Sequence, residues 1–339
     1  MSKKNSNVNL KNGFKDYNDL SAIFLNFKKK LDSLKKKKYL VAVSGGPDSL
    51  ALAALTKAYT FCKKTNFYYL LVDHNIRKNS SQEAQKVKSL LKKEYLNLKI
   101  LLNKKKITKN IQAEARNVRY HILTSFCKKN NIKVILTAHN LEDQVETFLI
   151  RLSRGSGLKG LSAMKSQSKV NNQVSLFRPL LDTQKQFLIK ISKIIFGKYF
   201  KDPSNKNQKY LRTKVRNLKK PLENSGIKYE KIFKSIQNLS QSKKTLDAYL
   251  SKIFKEIIKR SNNEILIDFK KYKDLNHDIK IAVVNQSIKQ LKRNYYDLRS
   301  KKVENLISSL DKKNFKNSTL GGCIFFKKGG YLCLKSEKC

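Results

Sequence analysis

The sequence predicts an α/β protein: a parallel-sheet domain followed by a smaller, mainly helical domain that ends in a β-hairpin. Three observations predict it. Short β-rich runs alternate with helix-length segments between residues 39 and 138, as in a parallel sheet covered by helices. A glycine-containing turn, Ser44-Gly45-Gly46-Pro47-Asp48-Ser49, joins the first of those runs to the first of those helices. After Asn217 the alternation gives way to long amphipathic segments rich in lysine. A chain of 339 residues is long enough for two packed cores.

Taken in order, residues 1–20 are polar and basic and read as a disordered tail. The domain at 21–217 carries the apolar runs Tyr39–Val43, Phe67–Val72, Leu98–Leu102 and Lys133–Ala138, with helices expected near 49–64, 82–95 and 110–130. In such sheets ligands bind beyond the carboxyl ends of the strands. Polar motifs follow the first strand (Ser44 to Ser49), the second (Asp73-His74) and the fourth (His139-Asn140). The domain at 218–339 has amphipathic stretches over 227–260 and 279–310 and an apolar tail, 319–334, that turns near Gly329-Gly330.

The composition excludes several classes. No run approaches the ~18 to 20 apolar residues of a membrane span, and the N-terminus has no apolar stretch of a signal peptide, so a cytoplasmic protein without a membrane partner is expected. The five cysteines are odd in number, widely spaced and never in C-x-x-C, which disfavours a disulfide framework, a zinc site or a cluster.

Lys+Arg number 74 and Asp+Glu 25, a net charge of +49. Such a charge points to a polyanion, nucleic acid first, because lysine and arginine release counterions from phosphates. A coding bias toward lysine is the competing explanation. Arginine separates the two: eight of the eleven lie between 77 and 216 in a chain that otherwise uses lysine, and only the guanidinium fork makes bidentate phosphate or carboxylate contacts.

The turn at Ser44 to Ser49 reads as a phosphate loop. Two glycines let the backbone approach an anion, successive amides form a cradle, and the next helix adds its positive end. No lysine follows the glycines, so a simple kinase or GTPase is disfavoured. Ser44, Gly45, Gly46, Pro47, Asp48 and Ser49 are therefore the expected phosphate-binding residues. Asp73 and His74 stand at the mouth of the second strand, at the same end of the sheet.

The loop, placed after a first strand, resembles that of the pyrophosphate-loop ATP pyrophosphatase superfamily, which implies an adenine nucleotide alpha hydrolase-like fold and cleavage of ATP to AMP and pyrophosphate. Further motifs narrow the resemblance: Val72-Asp73-His74-Asn75-Ile76-Arg77, Glu114-Ala115-Arg116-Asn117-Val118-Arg119-Tyr120, the run from Ala138 to Thr147, Arg154 to Leu161, Arg178-Pro179-Leu180-Leu181, Asp202-Pro203-Ser204-Asn205 and Tyr210 to Asn217. In order and spacing, over about residues 38 to 217, they resemble the tRNA(Ile)-lysidine synthetases. Departures are mild, such as Asn75-Ile76 where Gly-Leu is common. The C-terminal part is similar to the family's first C-terminal domain more loosely, with no counterpart expected for the additional domain of longer members.

That resemblance implies a ligase acting on the wobble cytidine of the CAU anticodon of tRNA(Ile). ATP adenylates the position-2 oxygen of the base, and the ε-amine of free L-lysine then displaces AMP. The product, lysidine, changes decoding from AUG to AUA and identity from methionine to isoleucine. ATP and Mg²⁺ are the implied cofactors: Ser44, Gly45, Gly46, Pro47, Asp48 and Ser49 are expected to bind ATP, Asp48 to hold Mg²⁺ or order the loop, and Asp73 and His74 to meet the adenosine or the reacting base. Asp48, Arg116, Arg119, Asp143 and Glu146 are the expected catalytic residues, and no stable protein partner is implied. Arg116 or Arg119 is expected to face phosphate, and Arg178, Arg212 and Arg216 to contact tRNA. Asp143 and Glu146, three apart in a helical segment, project from one face and repel unless a cation sits between them. By spacing alone they are solvated or paired with Arg151 or Lys159; by resemblance they hold the lysine substrate. A tRNA thiolase, or an RNA-binding protein without catalysis, is the alternative function.

Overall fold

Along residues 39–43, Tyr39, Val41 and Val43 enter one apolar core and Leu40 another, so the first strand has to be covered on both faces. The computed structural model describes residues 3–77, 79–103, 105, 107–108, 110–201, 208, 210–261, 263–292, 300–310, 312 and 314–337. The Asp202-Pro203-Ser204-Asn205 motif lies outside the described residues. The chain divides into two compact units, Met1–Ser240 and Gln241–Cys339, in place of the boundary expected at 217/218. The difference arises because Tyr229 and Ile236 pack on Leu141 and Val145 of the first unit.

The first unit runs α1 (Lys3–Lys11), α2 (Asn18–Ser33), β1 (Lys38–Ala42), α3 (Pro47–Cys62), β2 (Asn66–Asp73), α4 (Ser80–Lys93), β3 (Leu98–Leu102), α5 (Ile111–Lys129), β4 (Val134–Leu136), α6 (Leu141–Leu152), α7 (Leu158–Leu161), β5 (Gln167–Lys169), β6 (Ser175–Phe177), α8 (Lys185–Phe196), α9 (Leu211–Asn217) and α10 (Lys219–Asn224), and ends within α11 (Tyr229–Ile257). Its sheet has the order β3-β2-β1-β4-β6-β5, parallel except for β5 against β6. Helices α3, α4 and α8 share one core with the sheet, and α5 shares the other. Chain order reverses at β1, which lies between β2 and β4, so the loops after β1 and β4 flank a topological switch point.

The disordered tail expected over residues 1–20 is corrected by the structure from residue 3 onward. Lys3–Lys11 is helical, and Leu10, Phe14 and Leu20 are fully buried in the core that holds α3. The cause is α3 itself, buried on every face from Ser49 to Thr56. A helix that is apolar all round has to be enclosed, and α1 packs against both α3 and α8 to do so.

The second unit adds β7 (Ile258–Ser261), β8 (Glu264–Asp268), α12 (Phe269–Lys273), α13 (His277–Leu291), α14 (Ser300–Leu310), β9 (Asn317–Leu320), β10 (Cys323–Lys328) and β11 (Tyr331–Ser336). The hairpin of β10 and β11 turns at Gly329-Gly330, both at positive φ, where glycine carries no steric cost. It sits inside a five-stranded antiparallel sheet, β7-β8-β11-β10-β9, packed on α13 and α14. Among the described residues no helix is long and apolar enough to cross a membrane.

Candidate active site

The turn after β1 is built from its own hydroxyls. Ser44 N–H donates to Ser49 Oγ at 3.1 Å, and Ser49 Oγ donates to the Gly46 carbonyl at 2.9 Å, closing the loop onto the first turn of α3. Gly45 has φ +84°, and a Cβ there would lie 2.4 Å from Val87 Cγ2. Pro47 takes the first helical position, where its missing N–H costs nothing. Ser192 Oγ of α8 donates to the Pro47 carbonyl at 2.5 Å and ties α8 to the loop.

Across the switch point, α6 starts on a capping box. Asp143 N–H donates to Asn140 Oδ1 at 3.0 Å while Asn140 N–H donates to Asp143 Oδ2 at 3.1 Å. This fixes Glu142, Asp143 and Glu146 in the first turns of the helix. The Glu146 carboxylate, with 4% of its side chain exposed, accepts from Arg212 Nε at 2.8 Å, Arg216 Nε at 2.8 Å and Arg216 Nη2 at 3.0 Å. Asp143 Oδ1 accepts from Arg212 Nη2 at 3.0 Å. Two carboxylates at i and i+3 on α6 thus meet two guanidiniums at i and i+4 on α9. Arg151, one partner their spacing suggests, instead donates to the carbonyls of Gly160 and Ala163. Glu142 accepts from the Lys185 N–H at 2.9 Å and from Lys219 Nζ at 3.2 Å.

The loop and the acidic helix share one electrostatic site. Burial pushes the Asp48 carboxyl up to about 6; Lys185 opposes the rise, and the charges of Asp143 and Glu142 add to it. Asp48 Oδ1 is buried without a hydrogen-bond partner. A second basic group surrounds His139, whose Nδ1 lies 2.9 Å from Thr137 Oγ1. Burial takes His139 down to about 3, helped by the positive charges of Arg178, Arg116, Arg212 and Arg119. The imidazole is therefore neutral at physiological pH and acts there through hydrogen bonds.

The other expected site residues make the following contacts. Asp73 is buried; burial alone would raise its carboxyl, but donation from Ser81 Oγ at 2.6 Å and Asn75 N–H at 2.9 Å holds it below the ordinary value. His74 Nε2 accepts from Arg119 Nε at 3.4 Å, and Arg116 stacks 5.0 Å from the Tyr120 ring. Arg178, expected to contact tRNA, is 7% exposed; its Nη1 donates to the Lys165 carbonyl and Ser168 Oγ, and its Nε is buried without a partner.

Residues 20–222 match the PP-loop domain family. The chain is 35% identical over 302 residues to a tRNA(Ile)-lysidine synthase of Wolbachia pipientis wMel, covering 88% of this chain and 70% of that one. It is 36% identical over 312 residues to the tRNA(Ile)-lysidine synthase of Orientia tsutsugamushi (strain Boryong), with the same coverage. The chain belongs to the tRNA(Ile)-lysidine synthase family. Among solved structures, the U34-tRNA thiolase NcsA from Methanococcus maripaludis with its [4Fe-4S] cluster superposes with a TM-score of 0.55 at 19% identity, over 66% of this chain and 80% of that one, a likeness of fold.

In this lysidine synthase family member the loop, the acidic first turns of α6 and the arginines of α9 meet at one end of the sheet. Glu142, His139, Asn140 and Lys185 belong to that meeting and were not among the expected site residues. The turn signal His139-Asn140 and the motif run from Ala138 to Thr147 marked the first three in the sequence; Lys185 had no such signal. Asp48 also gives a stability test. Its folded pKa, about 6, lies above the ordinary 3.8, so the folded state favours the protonated form and loses stability as pH rises between those values. Asp48→Asn removes this, so its stabilising effect should be about 1 kcal/mol greater at pH 8 than at pH 5 in denaturant titrations. Equal effects at both pH values would contradict the burial argument.

Proposed function

We propose that this chain ligates free L-lysine to position 2 of the wobble cytidine in the CAU anticodon of tRNA(Ile), at the expense of ATP. ATP-dependent lysidine formation in tRNA(Ile) follows from the family. The observation that carries the finer reading is the adjacency of a phosphate loop to a cluster of carboxylates, with Asp48 feeling the charges of both Asp143 and Glu142. A nucleotide with its Mg²⁺ uses one or two carboxylates, and Asp48 can serve there; Glu142, Asp143 and Glu146 exceed that need. A site that must also bind a diamino acid has a use for them.

In this reading the amides around Gly45 and Gly46 and the positive end of α3 stabilise the pyrophosphate that departs when the cytidine oxygen attacks the α-phosphorus. The ε-amine of lysine then attacks C2 and gives up a proton, and the C–O bond to AMP breaks. Asp143 and Glu146 supply the acidic end of the lysine site, the amino groups of lysine taking carboxylate contacts that Arg212 makes in the structure. Arg212 and Arg216 then turn to tRNA phosphate. The change in decoding from AUG to AUA, and in identity from methionine to isoleucine, is the consequence.

Mg²⁺ fits the residues present. Asp48 offers a buried carboxylate oxygen without a hydrogen bond, and among the described residues no cluster of three or more metal ligands forms. That suits an ion bound by one or two carboxylates together with substrate phosphates. When bound, Mg²⁺ supplies charge neutralisation on the polyphosphate.

Two tests follow. ATP should be split to AMP and pyrophosphate only when tRNA is present; ADP and orthophosphate as the products would contradict the assignment. The second unit and α11 are read as the tRNA-holding part, and Lys231, Lys234, Lys244, Lys252 and Lys255 of α11 are exposed. Neutralising them should flatten the slope of log K for tRNA against log salt by about 0.7 to 0.9 for each phosphate no longer neutralised, with ATP binding intact. An unchanged slope would place the tRNA face elsewhere.

A further inference from the structure

The phosphate loop carries no lysine of its own between Ser44 and Ser49. We infer that Lys185, at the start of α8, supplies the missing cation and contacts the polyphosphate of ATP directly. This rests on the reading of the loop as the ATP site.

Position comes first. The Lys185 N–H is held by Glu142 Oε2 at 2.9 Å, and α8 is fixed to the loop by the hydrogen bond from Ser192 Oγ to the Pro47 carbonyl. The backbone of Lys185 is thereby anchored to α6 on one side of the crevice, and its helix to the loop on the other. Its side chain reaches the loop, with Nζ 3.7 Å from Asp48 Oδ2.

The pair is a poor end in itself. At 3.7 Å it exceeds hydrogen-bond length, the lysine side chain is 37% exposed, and Asp48 Oδ1 stays buried without a partner. Exposed or half-exposed pairs of this kind stabilise little. Such a lysine serves better as a mobile charge on a fixed base: a compact ammonium with three donors on a flexible stem suits phosphate as a point charge.

Charge balance supports the same role. Arg212, Arg216 and Lys219 are bound to the carboxylates of α6. A polyphosphate entering beside Asp48, Glu142 and Asp143 meets their repulsion, and Lys185 is the cation directed at the loop from α8. Asp48 would hold Mg²⁺, and the Lys185 ammonium, 3.7 Å from it, would then be left for the phosphates.

Calorimetric binding of ATP and of adenosine, both with Mg²⁺, to the full chain and to Lys185→Met and Lys185→Arg tests this. A phosphate contact predicts at least tenfold weaker ATP binding by Lys185→Met, adenosine binding within twofold of the unsubstituted protein, and recovery of most ATP affinity in Lys185→Arg. ATP binding within twofold in Lys185→Met would overturn the inference. So would parallel weakening of ATP and adenosine, which marks a distorted site. If Lys185→Met fails to fold, Lys185→Gln replaces it under the same criteria. The readout needs neither tRNA nor lysine, so failure of lysine transfer by the unsubstituted protein would count against the proposed function and leave this result standing.

Discussion

Glu146→Gln is expected to abolish lysine transfer and to lower stability by about 3 kcal/mol, the lower end of the cost of breaking a buried ion pair from one side. Glu146 is 3% exposed and accepts three hydrogen bonds from two guanidiniums. The amide offers one acceptor and turns an NH₂ group toward an arginine, so both arginines lose the Glu146 charge and Arg212 keeps only Asp143. Their side chains are 40% and 33% exposed and can rehydrate, which keeps the cost from the top of the range. Asp143→Asn should cost less, about 1 kcal/mol, because it perturbs one arginine pairing and the capping box. Single-turnover assays that count adenylated tRNA and lysine-bearing tRNA separately decide the functional half. Loss of transfer with adenylation retained is the expected pattern; collapse of adenylation with lysine affinity untouched would move these carboxylates to the ATP half of the site.

Gly45→Ala is expected to abolish ATP binding and to destabilise the fold by about 2 to 5 kcal/mol, summing left-handed strain and overpacking. The backbone sits at φ +84°, and the added methyl would meet Val87 Cγ2 at 2.4 Å. Val87 is 2% exposed and cannot withdraw. Gly46→Ala makes the control. Its φ is −72° and its nearest neighbour would be Ser44 Oγ at 3.7 Å, so stability should stay near that of the unsubstituted protein. Its methyl still stands where an anion approaches the backbone, so ATP affinity should fall. Comparing the two by thermal melting and ATP titration separates the strain of the loop from its use as a cradle.

Legibility in the sequence depends on whether a signal is local. Strands β1 to β3 and helices α3 to α5 declare themselves by apolar runs and their spacing, and the loop by its serines and glycines between strand and helix. Residues 3–20 escape a reading by composition because their order comes from a neighbour: Ala51-Leu52-Ala53-Ala54-Leu55, apolar on every face, requires a cover that Leu10 and Phe14 provide. Strands β7 and β8 are short and begin where α11 ends, so helical periodicity runs over the first of them. At the site, the spacing of Asp143 and Glu146 shows that they share a face and need cations. It does not show which cations, because Arg212 and Arg216 lie some seventy residues on and meet them only through the fold. Lys185 has no motif to mark it, since its placement comes from the packing of α8 on α3.

Transfer of labelled lysine tests the proposed function most directly. The protein is incubated with ATP, Mg²⁺, labelled L-lysine and total tRNA, and the label is followed into individual tRNA species together with AMP and pyrophosphate. Lysidine formation predicts label in one species, the tRNA(Ile) with a CAU anticodon, at the wobble cytidine, with one AMP and one pyrophosphate released per lysine joined. Label absent from tRNA, or spread over many species, would contradict it.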